Sequence, residues 1–180
     1  MNRKIALIAL LLAFPPIARA DSQWLLDKCT LTYHVDHPLH HVEGVSSSAR
    51  GKGVCQAGQC QFLIAVPVKS FNSDDSNRDL HMLQITRGAM YPMVVVRTEV
   101  PESELNSSTI HANLQVQFAG QTADYKDVPF QLSRTGKDVH LTGSIPAKCS
   151  DFKIDPPKLL TMPIKNDIPV VVDATWSPSD

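Results

Sequence analysis

Beyond its first twenty residues the sequence has no apolar run long enough to form a membrane-spanning helix, which needs about 20 residues. An excess of positive charge is also missing, since 17 Lys and Arg residues stand against 18 Asp and Glu residues. Nucleic-acid binding depends on neutralising phosphates with Lys and Arg. We therefore expect a protein that does not span a membrane, does not bind nucleic acid and does not dock electrostatically on anionic lipid.

Signatures of common enzyme classes are missing too. The sequence has no G-x-S-x-G elbow, no H-E-x-x-H motif, no P-loop and no G-x-G-x-x-G. Arg78, Asp79 and His81 crowd one turn of a predicted helix and could act as acid–base residues. Such a set more often fixes a helix through an Asp–Arg pair, so we expect a protein that is not an enzyme and has no cofactor.

The first twenty residues have the pattern of a secretory signal peptide. Arg3 and Lys4 precede an apolar run over 5–14, and the final Ala-Arg-Ala fits a cleavage site. The run is too short for a membrane anchor, and no Cys follows Ala20 as a bacterial lipoprotein would require. We expect export to the periplasm, cleavage after Ala20, and a single domain over 21–180 with a net charge of −4.

Four cysteines, Cys29, Cys55, Cys60 and Cys149, lie in this domain. An even count in an exported chain predicts two disulfides, for which three connectivities exist. Cys55 and Cys60 flank a predicted hairpin turn at Gly58, so we favour a Cys55–Cys60 bridge and, by elimination, a Cys29–Cys149 bridge. The C-x4-C spacing differs from the C-x-x-C of thiol oxidoreductases, which argues against redox chemistry.

Apolar residues alternate with period two along most of the domain, the pattern of half-buried strands. The spacing of these strands favours a β-sandwich or an up-and-down barrel. A short helix is predicted over 74–85, after the third strand, capped by Ser76 or a neighbouring Asp. The eight predicted strands are 31–35, 44–54 (bent by its glycines), 62–68, 94–98, 110–118, 128–132, 139–145 and 168–176.

The inward-facing set of these strands is rich in Val, Ile and Leu, whereas aromatic residues make up only 6% of the chain. In a closed eight-stranded barrel such a face either fills with side chains or encloses one elongated ligand. The helix and the proline-rich connection before the last strand are well placed to cover an open end. A filled interior, typical of an interaction or stress protein, remains the alternative.

Four histidines, His34, His37, His40 and His41, fall within eight residues. Imidazole is a good ligand for zinc, copper or nickel. The extended segment does not obviously bring these rings to one ion, and His34 alternates towards solvent. A solvated strand end is therefore favoured, and metal binding is the less favoured alternative.

Six segments resemble, in order, motifs of the YceI-like family of periplasmic lipid-binding proteins. They are D-x-C-T-L-x-Y-x-V-x-H at 27–37, N-R-D-L-H-M at 77–82, Y-P-M-V-V-V at 91–96, L-x-V-x-F-A-G-Q-T at 114–122, S-D-F-K-I at 150–154 and D-I-x-V at 167–170. Lys153 stands where the family has Gly.

The resemblance implies an all-β fold, an extended eight-stranded antiparallel lipocalin-like barrel with a hydrophobic tunnel. It also implies a long-chain lipid ligand: a polyisoprenoid, an isoprenoid quinone or a fatty-acid derivative. A homodimer is left open. Tyr33 could offer its hydroxyl to a polar headgroup. The residues expected to line the tunnel are Leu31, Tyr33, Val35, Phe62, Ile64, Val66, Leu114, Val116, Phe130, Leu141 and Val170.

Overall fold

The computed structural model describes residues 21–37, 40–159 and 162–179, and the predicted signal peptide lies outside these residues. The strands are β1 Ser22–His37, β2 His40–Ser46, β3 Arg50–Gln56, β4 Gln59–Pro67, β5 Met93–Pro101, β6 Thr109–Phe118, β7 Gln121–Thr135, β8 Asp138–Ile145, β9 Lys158–Leu159, β10 Met162–Pro163 and β11 Val170–Ser179. The helix α1 spans Ser76–Ile85, and short 3-10 helices occupy Val68–Ser70, Glu102–Asn106 and Cys149–Phe152.

The sheet closes on itself. Its strand order is β11-β8-β7-β6-β5-β4-β3-β1, and antiparallel pairing of β1 with β11 joins the two edges. β2 and β3 both pair with β1 in one continuous register. Leu31 of β1 lies opposite Ser46 of β2, and Leu25, six residues earlier on β1, lies opposite Lys52 of β3, six residues after Ser46. They are therefore two halves of one strand position, interrupted at 47–49. The predicted eight-stranded antiparallel barrel is confirmed, and the predicted bent strand 44–54 corresponds to this interrupted position.

The two ends of the barrel differ in their connections. One end carries the β3–β4 hairpin, the 3-10 helix Glu102–Asn106 and the turn between β7 and β8, and we refer to it as the closed end. The other carries α1 and the connection between β8 and β11, and we refer to it as the helix end. The predicted cover elements, the helix and the proline-rich connection, thus lie at the same end.

Helix α1 follows the third strand position, as predicted. Asp75 is its N-cap, and its side chain accepts hydrogen bonds from the backbone N–H groups of Asn77 and Arg78 at 2.9 and 3.1 Å. These N–H groups have no partner within the helix, so a carboxylate at this position stabilises its start. The cap is one of the Asp residues that the sequence offered beside Ser76.

Glycines give inward-facing aromatic rings room on the barrel wall. Gly53 lies opposite both Trp24 and Phe62, and a methyl group at Gly53 would come within 2.4 Å of the Phe62 ring. Gly143 lies opposite Phe130 in the same way, with a ring atom 2.4 Å from the position of a methyl group. The large rings therefore lie close against the wall, which leaves space along the axis.

Of the two predicted disulfides, one is present. Cys55 and Cys60 lie opposite each other in the β3–β4 hairpin and form a disulfide. Cys29 and Cys149 are free and buried, so the predicted Cys29–Cys149 bridge was wrong for this structure.

Strand register explains why this second bridge does not form. Cys29 lies opposite Ala174, whereas the backbone N–H of Cys149 bonds to the carbonyl of Asn166, before β11 begins at Val170. The four residue-to-residue steps from Val170 to Ala174 alone cover about 13 Å of extended strand, and a disulfide requires Cα atoms within about 7 Å. Burial, followed by the charge of Asp173, raises the pKa of Cys29 to about 11, which keeps this thiol protonated at neutral pH.

Candidate functional site

The barrel encloses an apolar cavity, and we refer to it as the tunnel. Its volume is about 270 Å³, and forty side chains contributed by the barrel strands, by α1 and by the connections at both ends form its wall. None of these lining residues carries a formal charge. The barrel interior is therefore not filled by side chains, and an apolar molecule is the kind of ligand that its wall accommodates.

All eleven residues that the sequence analysis assigned to the tunnel lie on its wall. They come from β1, β4, β6, β7, β8 and β11, so the inward face was placed correctly on each of these strands. Whether these residues contact a ligand stays a prediction.

The tunnel is elongated. Trp24 and Val35 both line it, and the eleven residue-to-residue steps from one to the other along β1 cover about 36 Å of strand at ~3.3 Å per step. Strands in a closed barrel tilt by roughly 40°, so the lined length along the axis is somewhat shorter. The shape suits a long, thin molecule better than a round one.

Residues at the closed end were mostly missed by the sequence analysis. Trp24, Val100, Leu105 and Val139 line the tunnel there, and each is less than a tenth exposed. The ring of Trp176 packs edge-on against Phe62, with ring centres 4.9 Å apart. Apart from the half-buried Phe62, these side chains are buried, and together they enclose this end of the tunnel.

The mouth of the tunnel lies at the helix end, because several lining residues there are only half-buried. They are Tyr33, Phe71, Met82, Ile85, Val94, Ile164 and Ile168. The Tyr33 ring packs against Phe71, with ring centres 5.6 Å apart. Burial, with the nearby charge of Asp79 as the next cause, raises the pKa of Tyr33. Its hydroxyl therefore stays protonated and able to donate a hydrogen bond at the mouth.

Arg78 and Asp79 anchor α1 to the loop before it. Arg78 donates from Nε to the Ser73 hydroxyl at 2.8 Å and from Nη2 to the Ser73 carbonyl at 2.5 Å. Asp79 accepts from the Ser73 hydroxyl at 2.6 Å and from its backbone N–H at 3.1 Å. His81 is exposed and has no part in this network. The arrangement fits a structural role for the Arg–Asp pair, which the sequence analysis favoured over acid–base chemistry.

Replacing Asp79 with Ala is expected to lower the free energy of unfolding by about 1–3 kcal/mol, because Ser73 is buried and would lose the acceptor for two donors. Replacing the exposed His81 with Ala is expected to change it by less than about 0.5 kcal/mol. Urea unfolding of the two variants tests this difference. Equal stability of Asp79→Ala and the wild type would contradict the anchoring role.

The histidine cluster forms carboxylate pairs where its side chains are described. His34 Nδ1 lies 3.1 Å from Glu43, and His41 Nδ1 lies 2.5 Å from Asp36. Lys165 also contacts Asp36, at 2.8 Å, and hydrogen bonds from Lys165 and His41 hold the pKa of Asp36 below its usual value. The side chains of His37 and His40 are outside the described set. Among the side chains that are described, no three His, Cys, Asp or Glu residues converge as metal ligands.

Within the described part of the chain, no helix is both long and apolar enough to cross a bilayer. No protein-family profile matches the sequence, and no curated protein sequence matches it either.

The fold and the tunnel define a closed antiparallel β-barrel with an apolar interior, and solved structures share this architecture. A polyisoprenoid binding domain from Saccharophagus degradans, described as implicated in plant cell wall breakdown, is 13% identical with a TM-score of 0.72, over 87% of this chain and 98% of that one. Burkholderia cenocepacia BcnA is 12% identical with a TM-score of 0.68, over 82% and 95%. A Campylobacter jejuni YceI protein is 15% identical with a TM-score of 0.53, over 67% and 72%.

The chain has the fold of these YceI-like proteins. The resemblance that its six sequence motifs indicated is thereby confirmed at the level of the fold. At identities of 12–15%, the likeness shows the architecture alone.

Proposed function

We propose that this protein is a periplasmic carrier that holds an elongated lipid in its tunnel. The ligand is a polyisoprenoid, an isoprenoid quinone or a fatty-acid derivative, and the protein is not an enzyme. The observation that carries this proposal is the continuous apolar wall of forty uncharged residues around an elongated cavity.

Burial of apolar surface supplies the driving force. Each 100 Å² of ligand surface removed from water contributes about 2.5 kcal/mol. A long chain that lies along the wall from the mouth towards Trp24 buries several times that area, which offsets the cost of ordering it. Specificity for long chains then follows from the length of the tunnel, since a short chain leaves part of the wall unused.

The absence of charge on the wall limits what the tunnel accepts. Moving an unpaired carboxylate or phosphate into such surroundings is very costly. A charged headgroup therefore has to remain at the mouth, where Tyr33 offers a hydroxyl and Asp79 and Arg78 lie near it. A neutral lipid can enter completely.

The structural neighbours support this class of ligand, because one of them is described as a polyisoprenoid binding domain. The predicted signal peptide supports export, and the Cys55–Cys60 disulfide is compatible with an oxidising compartment. A carrier in the periplasm would shield a water-insoluble chain from the aqueous space between two membranes.

Native mass spectrometry of protein purified without denaturant or detergent tests the proposal. We expect adducts of one long-chain lipid per protein molecule, and the same lipid in an organic extract of the sample. Protein that is delipidated by unfolding and then refolded provides the control, and it should show the bare mass until lipid is added back. A bare mass in the native sample, together with failure of the refolded protein to take up any long-chain lipid, would contradict the proposal.

A further inference from the structure

Trp24 occupies the innermost part of the tunnel. It lies near the start of β1, with its backbone opposite Gly53 of β3 on one side and Pro178 of β11 on the other. Its side chain forms part of the tunnel wall and is 8% exposed. The indole ring is therefore enclosed at the closed end, as far from the mouth as any lining residue of β1.

The indole N–H of Trp24 has no acceptor. Among the buried side-chain nitrogen and oxygen atoms in the described ranges, Trp24 Nε1 is the one atom without a hydrogen-bond partner. Indole nitrogen only donates, and a buried donor without an acceptor is costly to keep. An apolar residue such as Phe would fill the same place without that cost. The presence of Trp is therefore best accounted for by an acceptor that a bound molecule, and not the protein chain, supplies.

The hydroxyl groups of two other lining residues are already engaged. The hydroxyl of Thr98 donates to the carbonyl of Asn113 at 2.9 Å, and that of Thr86 donates to the carbonyl of Met82 at 2.7 Å. Tyr33 lies at the mouth, at the opposite end of β1. Among the described residues, Trp24 Nε1 is therefore the fully buried donor on the tunnel wall that is left without an acceptor.

The partner has to be a neutral acceptor. None of the lining residues is charged, so a carboxylate or phosphate at the closed end would lie buried without a counter-ion. A carbonyl or ether oxygen accepts a hydrogen bond without bringing a charge. Because the closed end is sealed and the mouth lies at the other end, such an oxygen can reach Trp24 only at the leading end of the ligand.

We propose that Trp24 donates a hydrogen bond from Nε1 to a neutral oxygen at the leading end of the bound lipid. The preferred ligand is a long-chain neutral lipid with a carbonyl or ether oxygen at one terminus, and it enters with that terminus first. This inference rests on the proposed function, since it assigns the ligand class and its orientation in the same tunnel.

The probes that test it are a straight-chain methyl ketone, the hydrocarbon of the same length and the matching fatty acid. We expect the ketone to bind about tenfold more tightly than the hydrocarbon, because only the ketone oxygen can accept a hydrogen bond from the buried N–H of Trp24. In spectra of ¹⁵N-labelled protein, the ketone should move the indole proton signal of Trp24 downfield, and the hydrocarbon should not. The fatty acid should bind more weakly at neutral pH than the ketone.

Two variants separate the N–H group from the ring. Trp24→Phe keeps an aromatic ring but removes the donor, and it is expected to lower ketone affinity about tenfold and leave hydrocarbon affinity within about twofold. Trp176→Phe is the matched control, because Trp176 lines the same end of the tunnel and is similarly buried. It should change the affinities for both probes by the same factor. Melting temperatures of the two variants establish that both are folded.

The outcomes separate a failure of the Trp24 inference from a failure of the proposed lipid-carrier function. Equal affinities for ketone and hydrocarbon, or a ketone-specific shift at Trp176 instead of Trp24, would overturn the inference and leave the lipid-carrier function intact. Failure of every probe to bind folded, delipidated protein would overturn both.

Discussion

Replacing Val172 with Phe is expected to weaken binding of a long-chain lipid by at least about tenfold. Val172 lies on the inward face of β11, between Val170 near the mouth and Trp176 at the closed end. It stands opposite Leu31 of β1 and Gly143 of β8. A phenyl ring at this position projects into the middle of the tunnel, so a long chain can no longer pass to the closed end. The lost contacts correspond to about 1.4 kcal/mol or more.

The neighbouring residue provides the matched control. Val171 has the same side chain but faces outward and is 41% exposed, so Val171→Phe adds the same ring to the outside of the same strand. Affinity for a fluorescent long-chain fatty-acid ester, together with the amount of lipid that copurifies, should fall in Val172→Phe and stay close to wild type in Val171→Phe. Melting temperatures show whether Val172→Phe is folded, since overpacking a core costs about 1–3 kcal/mol. If the folded Val172→Phe variant bound the ester as tightly as Val171→Phe, the tunnel would not be the binding site.

The period-two pattern was enough to predict the inward-facing side chains of the regular strand segments. Leu114 and Val116 on β6, or Phe62, Ile64 and Val66 on β4, share one face because successive side chains of a strand point to opposite sides. Alternation could not choose between a sandwich and a barrel, since both bury one face of every strand. Closure depends on pairing between β1 and β11, the first and last strands of the chain, and only the family resemblance indicated it.

On β1 the closed end could not be predicted because of a β-bulge. The pairing of β1 with β11 shifts between Leu26 and Lys28, so the inward positions change from Trp24 and Leu26 to Cys29 and Leu31. Alternation extended backwards from Leu31 would have placed Leu25 inside, yet Leu25 is 46% exposed. A bulge adds one residue without a clear sequence signal. Because of it, Trp24, the residue most informative about the ligand, was absent from the predicted tunnel residues.

The predicted Cys29–Cys149 bridge was wrong because it was inferred by elimination, once Cys55 and Cys60 had been paired. Elimination takes no account of where the fold places the two remaining cysteines. The sequence analysis placed Cys29 just before the predicted strand 31–35, and it did not show that Cys149 begins a 3-10 helix at the helix end. Without the register of β11, nothing indicated that these two residues lie at different depths of the tunnel.

The 3-10 helix Cys149–Phe152 is the element where we expect a single substitution to lower the free energy of unfolding most. Phe152 is among the most completely buried side chains of the described residues, at 2% exposure. Its ring packs edge-on against Phe118, with ring centres 5.2 Å apart. Asp151 holds the helix in place, because it accepts hydrogen bonds from the Tyr125 hydroxyl at 2.7 Å and from the Lys148 backbone N–H at 3.0 Å.

Replacing Phe152 with Ala is therefore expected to lower the free energy of unfolding by about 3–5 kcal/mol, the usual cost of removing a buried phenyl ring. Phe152→Leu keeps most of the apolar volume and should cost clearly less. Urea unfolding measured on delipidated protein checks both values without a contribution from bound ligand. Because Phe152 also lines the tunnel, the Ala variant should accept a bulkier chain wherever it remains folded.

The next residue should respond in the opposite direction. Lys153 ends this 3-10 helix with φ of 53°, in the left-handed region where glycine is favoured. Glycine, the residue of the YceI-like motif at this position, adopts this conformation without a steric penalty. Lys153→Gly is expected to stabilise the protein by up to about 1 kcal/mol, because the strain of a side chain in this conformation is removed. A higher free energy of unfolding for Lys153→Gly, beside a much lower one for Phe152→Ala, would show that the buried ring holds the helix and that strain is confined to its end. A lower free energy of unfolding for Lys153→Gly would instead mean that the Lys153 side chain makes contacts that outweigh the strain.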